Sequence, residues 1–476
     1  MKTPTTTLSV IDTLAALDSG EMTVEGYVAA LIDRNRQCEY LNGLVSIDED
    51  RLLSIARTRD EERARGLDRR ALDGVPFAAK DNMDTVELPT TACTPALRGN
   101  RPSLNAPVIQ RLLDEGALLL GKANMHELAF GITNNHGAFG AARNPYDPER
   151  IPGGSSGGSA VVVAAGIVPF ALGSDTGGSV RIPAALCGIV GFRPTTGRYS
   201  QEGVVPISPT RDTVGPMART VADVALIDGL IGGEASRPGP VELSGLRVGV
   251  PREYFYENLE PAVATLMEDF LAALRSEGVV LIEESIPEVQ KLDEAVSFVV
   301  VNYEARRCLE RYLARSAPAV SFETLLAGIA SPDVKSVYDA IVALNLDDDR
   351  AYRDALAVHR PALQRAIKDY FGRHRLDAYL VPTCCMTARP IGQDQTVELN
   401  GRQVPTFQSF IRNADPSSNA GIPSISIPIG LSGMQLPVGA MLEAPADDDR
   451  RLLAVAQAFE NVCGPITPPA LICDPK

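Results

Sequence analysis

The chain has 476 residues, 45% of them hydrophobic, and a formal net charge of −15. This supplies enough apolar material for a large core, and an acidic chain without a dense basic run excludes nucleic acid and anionic membrane as partners. Eight cysteines at low density, with no C-x-x-C pair and with Cys384 and Cys385 adjacent, argue against a disulfide framework or a metal chelate and for reduced thiols.

Met1 to Leu17 holds one lysine and no long apolar run, so no secretory signal is expected. No stretch offers about 18 uncharged apolar residues, and a cytoplasmic protein is expected. The first seventy residues read as helices. Val24, Tyr27, Val28 and Leu31 recur at i, i+3, i+4 and i+7, one apolar stripe, with Thr23 placed to cap it. Residues 50–66 alternate in charge and predict a solvated helix. Residues 74–79 predict a short buried strand ending at Lys80. A helix over 106–116 and a strand over 117–121 follow, then a polar, loop-rich stretch over 123–152. Small apolar residues at 160–165 predict a tightly packed helix, and 169–173 a strand. Thr220 opens another helix, with Asp223 three residues on in capping-box fashion. Residues 246–250, 261–276 and 279–283 spell one β-α-β unit. Residues 287–372 predict a charged, cap-like helical region. Strands are expected at 378–381, 424–429 and 438–442, and a last helix near 449–461. No repeat, low-complexity tract or linker interrupts the chain. One mixed α/β domain over 1–476 is expected, with 1–70 as N-terminal helices and 71–230 as its core.

Serines packed among glycines occur twice, in G-G-S-S-G-G-S at 153–159 and in G-S-D-T-G-G-S-V-R at 173–181. Glycine lets the main chain approach a ligand closely. A serine in that setting can present its hydroxyl beside free N–H groups, which is what acyl transfer needs. Lys80, in G-V-P-F-A-A-K-D-N, is a candidate base. A lysine serves as base only when burial or a cationic neighbour makes it neutral. Two other readings fail. G-G-S-S-G satisfies the G-x-S-x-G pattern, but that pattern needs a late histidine, and His359 and His374 sit in charged helical text. Neither glycine loop ends in G-K-[ST], so a nucleotide site is not expected.

Taken together, these motifs resemble the signature of the amidase signature enzymes. Lys80 sits where that family keeps its catalytic lysine, and Ser179 follows Ser155 by 24 positions (179 − 155), as the family's two catalytic serines do. The resemblance spans nearly the whole chain. It implies an α/β fold with a central mixed β-sheet flanked by helices, with helical additions, and a Ser–cis-Ser–Lys triad. Ser179 is then the nucleophile, Ser155 the bridging serine in a cis peptide after Gly154, and Lys80 the base. An oxyanion hole is expected from the N–H groups of Thr176, Gly177, Gly178 and Ser179, with no cofactor and no metal. Arg181 reads as structural, holding Asp175 or a backbone carbonyl near the site, with binding of an anionic substrate as the alternative; Lys122 reads as structural too.

Finer motifs narrow the substrate. N-M-H-E-L-A-F-G-I-T at 124–133, A-A-L-C-G-I-V-G-F-R-P-T at 184–195, V-P-I-S-P-T-R-D-T at 205–213, A-R-P-I-G-Q-D at 388–394 and R-N-A-D-P-S-S-N-A-G at 412–421 resemble bacterial indoleacetamide hydrolases, with mandelamide hydrolases near relatives. The resemblance implies cleavage of a small aryl or arylacetamide to acid and ammonia through an acyl-serine. Anilides, carbamates and esters stay open as substrates. So does the role of the ammonia-donating component of a glutamyl-tRNA amidotransferase, although those chains generally carry aspartate where this one has His126. An aromatic acyl group needs a mostly apolar pocket. Proximity to the motifs nominates Met125, Phe130, Ile132, Ser156, Ile182, Leu186 and Tyr254, with the loop 382–386. His126 either hydrogen-bonds the substrate or makes a structural contact with Glu127 or the backbone. A small-molecule amide is the partner implied, and a homodimer is left open.

Overall fold

The computed structural model describes residues 5–67, 69–234, 238–344 and 348–471. Its strands, in chain order, are β1 (Leu44–Ile47), β2 (Pro76–Lys80), β3 (Leu118–Ala123), β4 (Phe170–Asp175), β5 (Val190–Arg193), β6 (Thr213–Ala218), β7 (Arg247–Gly249), β8 (Val280–Ile282), β9 (Ala378–Pro382), β10 (Thr396–Leu399), β11 (Arg402–Pro405), β12 (Ser424–Leu431) and β13 (Pro437–Glu443). Among the described residues, eleven of them form one sheet in the order β1-β3-β2-β4-β6-β5-β12-β13-β9-β7-β8, while β10 and β11 pair apart as a hairpin. The sheet is mixed: β2 runs parallel to β3 and β4, β4 antiparallel to β6, and β7 parallel to β8 and β9.

Strands covered on both faces read as near-continuous apolar runs, and β2 and β4 do. Phe77, Ala79, Phe170 and Leu172 enter the core on one face, where Phe77 stacks on Phe170 at 5.3 Å. Ala78 and Ala171 enter the core on the other, with the helix Gly157–Ala164. The β-α-β unit forms as expected, with the helix Pro261–Ser276 between β7 and β8 burying Val263, Met267, Phe270, Leu271 and Leu274.

The helices of the first seventy residues are Val10–Asp18, Val24–Gln37 and Glu49–Ala64. Thr23 accepts a hydrogen bond from the Gly26 N–H at 3.0 Å, and Val24, Tyr27, Val28 and Leu31 are wholly buried. Strand β1 departs from the all-helical expectation. Its four residues are all half-buried, so no alternation marks it. Strand β6 was not expected either: it carries Gly215 and Pro216 in T-V-G-P-M-A, composition that reads as a turn, yet it pairs with β4 over its whole length.

Residues 287–372 fold as helices that serve two places. Ser297–Ser316, Phe322–Gly328 and Pro332–Ala343 pack Leu309, Leu325 and Tyr338 against Leu97, Met125 and Leu128 of the core loops. Arg360–His374 instead packs Leu363 and Phe371 with Tyr379 and Val381 of β9. The β10–β11 hairpin and the short helices Thr406–Ile411 and Asp415–Ala420 were also unforeseen. All seven described cysteines are free thiols, six of them buried; Cys473 lies outside the described residues. Among the described residues no helix is long and apolar enough to cross a membrane.

Thr220 caps the helix Val221–Gly232 through the Asp223 N–H at 3.1 Å. The Asp223 carboxylate accepts instead from the Ile11 N–H at 3.1 Å, so one residue serves two helix starts. Thr220→Ala is expected to lower stability by about 1 kcal/mol, read as a shift in the urea midpoint. Asp223→Ala keeps that N–H and removes the carboxylate's bond to Ile11; it is expected to lower the midpoint as well, and an unchanged midpoint would show that the link to Ile11 contributes nothing.

Candidate active site

Lys80 is the last residue of β2. Period-two alternation sets it on the side of Ala78, the side covered by the helix Gly157–Ala164, and Ser155 lies two residues ahead of that helix. The amine is wholly buried. Its Nζ stands 2.8 Å from Ser155 Oγ, 2.9 Å from Ser174 Oγ and 3.3 Å from the Ser174 carbonyl oxygen. Asn82 donates to Ser174 Oγ at 3.0 Å. Among the described residues no hydrogen-bond partner of Lys80 is a carboxylate. Burial therefore pulls its pKa down to about 7, against a weaker upward pull from Asp175 and Asp212. Lys122 on β3 is equally buried, but Asp81 lies 3.4 Å from its Nζ, which also donates to the carbonyls of Met83 and Pro89 and to Thr90 Oγ1.

The two glycine–serine loops meet. The Ser156 N–H donates to the Ser179 carbonyl at 3.2 Å, and Ser156 Oγ bridges the carbonyl and N–H of Ser174 at 3.1 and 3.2 Å. The Gly154–Ser155 peptide is cis. Asp175, at the end of β4, accepts from the N–H groups of Gly178 (2.8 Å) and Val180 (3.0 Å), from Arg181 Nε and Nη2 (3.1 and 3.0 Å), and from Arg193 Nη1 (3.0 Å). Burial would push this carboxyl up; Arg181 and Arg193 outweigh it and hold it well below the usual carboxylate range. The turn needs glycine at 178, where φ is +131° and a Cβ would fall 2.7 Å from Ala414 and Ile182 side-chain carbons. Arg181 also donates to Ser417 and Ser418 Oγ, each at 2.7 Å, so its guanidinium is committed within the protein.

One expected oxyanion donor is corrected by this geometry. The Gly178 N–H is taken by Asp175. The N–H groups of Thr176, Gly177 and Ser179 have no hydrogen-bond partner among the described residues. Thr176 is fixed from two sides, by its hydroxyl donating to Asp212 at 2.6 Å and by Arg211 Nε donating to its carbonyl at 3.2 Å.

Thr176, Gly177 and Ser179 open onto a cavity of about 340 Å³. Phe130, Ile132 and Ile182 line it, together with Val301, Phe407 and Ile411. The other nominated wall residues are not brought there. Met125 packs with Leu128 and Leu309 beneath the cap helices. Leu186 and Tyr254 join a core with Cys385, and the Tyr254 hydroxyl donates to the Arg412 carbonyl at 3.0 Å. Ser156 is occupied by Ser174, as above. His126 is wholly buried: its Nδ1 accepts from the Asn134 N–H at 3.1 Å and its Nε2 lies 3.0 Å from Asp333 Oδ2. Glu127 does not touch it through its carboxylate, which accepts from Ala330 and Ser331 N–H groups instead.

Ser174, Asn82, Arg211 and Asp212 were within reach of sequence reasoning, since each lies inside a motif already singled out. Val301, Phe407 and Ile411 carry no local signal. Among the described residues no group of three or more His, Cys, Asp and Glu side chains gathers as a metal set. The arrangement can move a proton between a hydroxyl and an amine, and it offers N–H donors beside a half-buried serine: the requirements of acyl transfer.

Several known proteins are similar to this chain. A family model described as Amidase matches residues 27–453. An indoleacetamide hydrolase from Rhizobium radiobacter is 45% identical over 437 residues, covering 92% of this chain and 93% of that protein. A mandelamide hydrolase from Pseudomonas putida is 39% identical, covering 96% of this chain and 92% of that protein. The crystal structure of a peptide amidase from Stenotrophomonas maltophilia matches with a TM-score of 0.84 at 30% identity, covering 98% of each chain. Fold and comparisons define a hydrolase of amide C–N bonds. The chain belongs to the amidase family.

Asp175→Ala would leave the buried Arg193 guanidinium without its anion and Arg181 with only Glu443, 3.6 Å away. A stability loss of about 3–5 kcal/mol is expected, measured by urea unfolding; a midpoint equal to that of the native protein would contradict the role given to this carboxylate.

Proposed function

We propose that this amidase hydrolyses small arylacetamides to the carboxylic acid and ammonia through a relay of Ser179, Ser155 and Lys80. The observation that carries the reading is the buried Lys80 amine, 2.8 Å from Ser155 Oγ and with no carboxylate bonded to it among the described residues. In its neutral form the amine accepts the Ser155 proton while Ser155 accepts the Ser179 proton, and Ser179 Oγ forms a bond to the amide carbon. The oxyanion is met by the free N–H groups of Thr176, Gly177 and Ser179. Collapse breaks the C–N bond, and the proton returns through the same hydroxyl to the departing nitrogen. Water then enters by the reverse relay, the acyl–oxygen bond to Ser179 breaks and the acid leaves.

An aryl acyl group suits the apolar walls of Phe130, Ile132 and Ile182 and the cavity volume of about 340 Å³. The likeness to indoleacetamide and mandelamide hydrolases supports the same substrate class. Free, mostly buried thiols suit a cytoplasmic setting.

Ammonia release from indoleacetamide, mandelamide and phenylacetamide by the purified chain alone tests the reading. No release without added partner proteins would favour an amidotransferase component instead. Ser179→Ala is expected to lower kcat/KM by about 10⁴-fold or more, and Lys80→Ala by a similar factor without loss of the fold. The rate is expected to rise with pH through about 7, where Lys80 changes from ammonium to amine, and then to level off. A profile flat from about pH 6 to about pH 9 would contradict a lysine base.

A further inference from the structure

The same cavity holds two carboxylates and one guanidinium, Asp333, Asp394 and Arg211. Two of the three are committed elsewhere. Asp394 accepts from Thr133 Oγ1 at 2.7 Å on one oxygen and from Asn135 Nδ2 at 2.8 Å on the other. Arg211 donates to the carbonyls of Thr176 and Ser297 and to the Asp415 carboxylate. Asp333 is left facing the cavity, with no lysine or arginine against it among the described residues.

Its placement is tightly determined. Asp333 lies in the first turn of the helix Pro332–Ala343. Glu127 fixes the backbone just ahead by accepting the N–H groups of Ala330 and Ser331, at 3.2 and 2.7 Å. Phe130 packs edge-on against Tyr338 of the same helix, 5.2 Å between centroids. His126 Nε2 lies 3.0 Å from Asp333 Oδ2. Because His126 Nδ1 accepts the Asn134 N–H, the neutral ring carries its proton on Nε2, the atom beside Asp333. The imidazole can be held there because residue 131 is glycine; a Cβ would collide with the ring. Burial pushes the Asp333 carboxyl up, but His126 and the amides of the helix start outweigh it and hold it below its ordinary value. A carboxylate has about four acceptor positions, and these partners leave capacity toward the cavity.

We propose that Asp333 accepts a hydrogen bond from a donor on the acyl group of the substrate, the ring N–H of an indole-type amide, and so sets the preference for heteroaryl over all-carbon arylacetamides. This rests on the arylacetamide hydrolysis proposed above. The remaining walls mix apolar side chains, which discriminate poorly between rings of equal size, with uncharged polar ones, among them Asn302, Ser336, Gln395 and Gln408. Asp333 is the charged acceptor with capacity toward the cavity, and a site built around a polar contact rejects the analogue that lacks it.

The test compares kcat/KM for indole-3-acetamide, 1-methylindole-3-acetamide and naphthalene-1-acetamide, by ammonia release, in the native protein, Asp333→Asn and Asp333→Ala. The native protein is expected to favour indole-3-acetamide over both analogues by about 10- to 100-fold. Asp333→Ala is expected to shrink that preference to about threefold or less while naphthalene-1-acetamide turnover changes by about threefold at most. Asp333→Asn, which keeps an acceptor oxygen, is expected to retain part of it. Hydrolysis of all three by the native protein without discrimination overturns the inference and leaves the proposed function standing. So does an Asp333→Ala protein with the native preference, or one that loses all three amides equally, which would mark the residue as a support for its helix. Failure of the native protein on all three overturns both.

Discussion

The constraint on which the site depends is an amine sealed from water with only hydroxyl and carbonyl oxygens within hydrogen-bond distance. Burying an ammonium costs several kcal/mol unless an anion faces it, and losing the proton removes that cost. The contrast within the same sheet is direct. Lys80 and Lys122 lie on adjacent strands and are equally buried, but Lys122 has Asp81 beside it and three oxygens to donate to, while Lys80 has only serine oxygens. Burial lowers the pKa of both amines, but the first arrangement sets a carboxylate against its amine. The second is what the proposed base requires.

The nearby anion that would undo this is itself neutralised. Asp175 pulls the Lys80 pKa upward, yet it is pinched between Arg181 and Arg193. These arginines therefore act at two levels. They balance a buried carboxylate that gathers the N–H groups of Gly178 and Val180, which shapes the turn and leaves neighbouring N–H groups free. They also weaken the field that would keep Lys80 protonated. Around this centre the protein builds a cavity whose walls come from both the core and the cap helices, so that binding specificity rests on segments the motifs do not contain.

How far this was legible from the residues depended on whether the signal was local. The apolar run before Lys80, the stripe from Val24 to Leu31 and the β-α-β unit each carry their periodicity within a short window, and the structure forms them. Strand β6 hides because Gly215 and Pro216 read as turn residues, although Gly215 is needed where the Phe192 carbonyl occupies the space a Cβ would take. The two glycine–serine loops were visible for the same reason of locality. The pocket was not: nearness to a motif placed Met125 and Leu186 at the wall, but Met125 turns into the layer under the cap helices, and Leu186 sits a helical turn beyond Ile182, away from Ser179. Val301, Phe407 and Asp333 meet the motif only after the chain has folded.

The central claim concerns the charge of one amine, and it can be measured directly. The chain carries seven lysines, few enough for their ε-carbons to be followed individually by NMR in ¹³C-lysine-labelled protein, with the Lys80 signal assigned by its loss in Lys80→Ala. The account predicts that this signal titrates near pH 7, well below the ordinary lysine value of about 10.4. A Lys80 that stays protonated up to about pH 10 would contradict it.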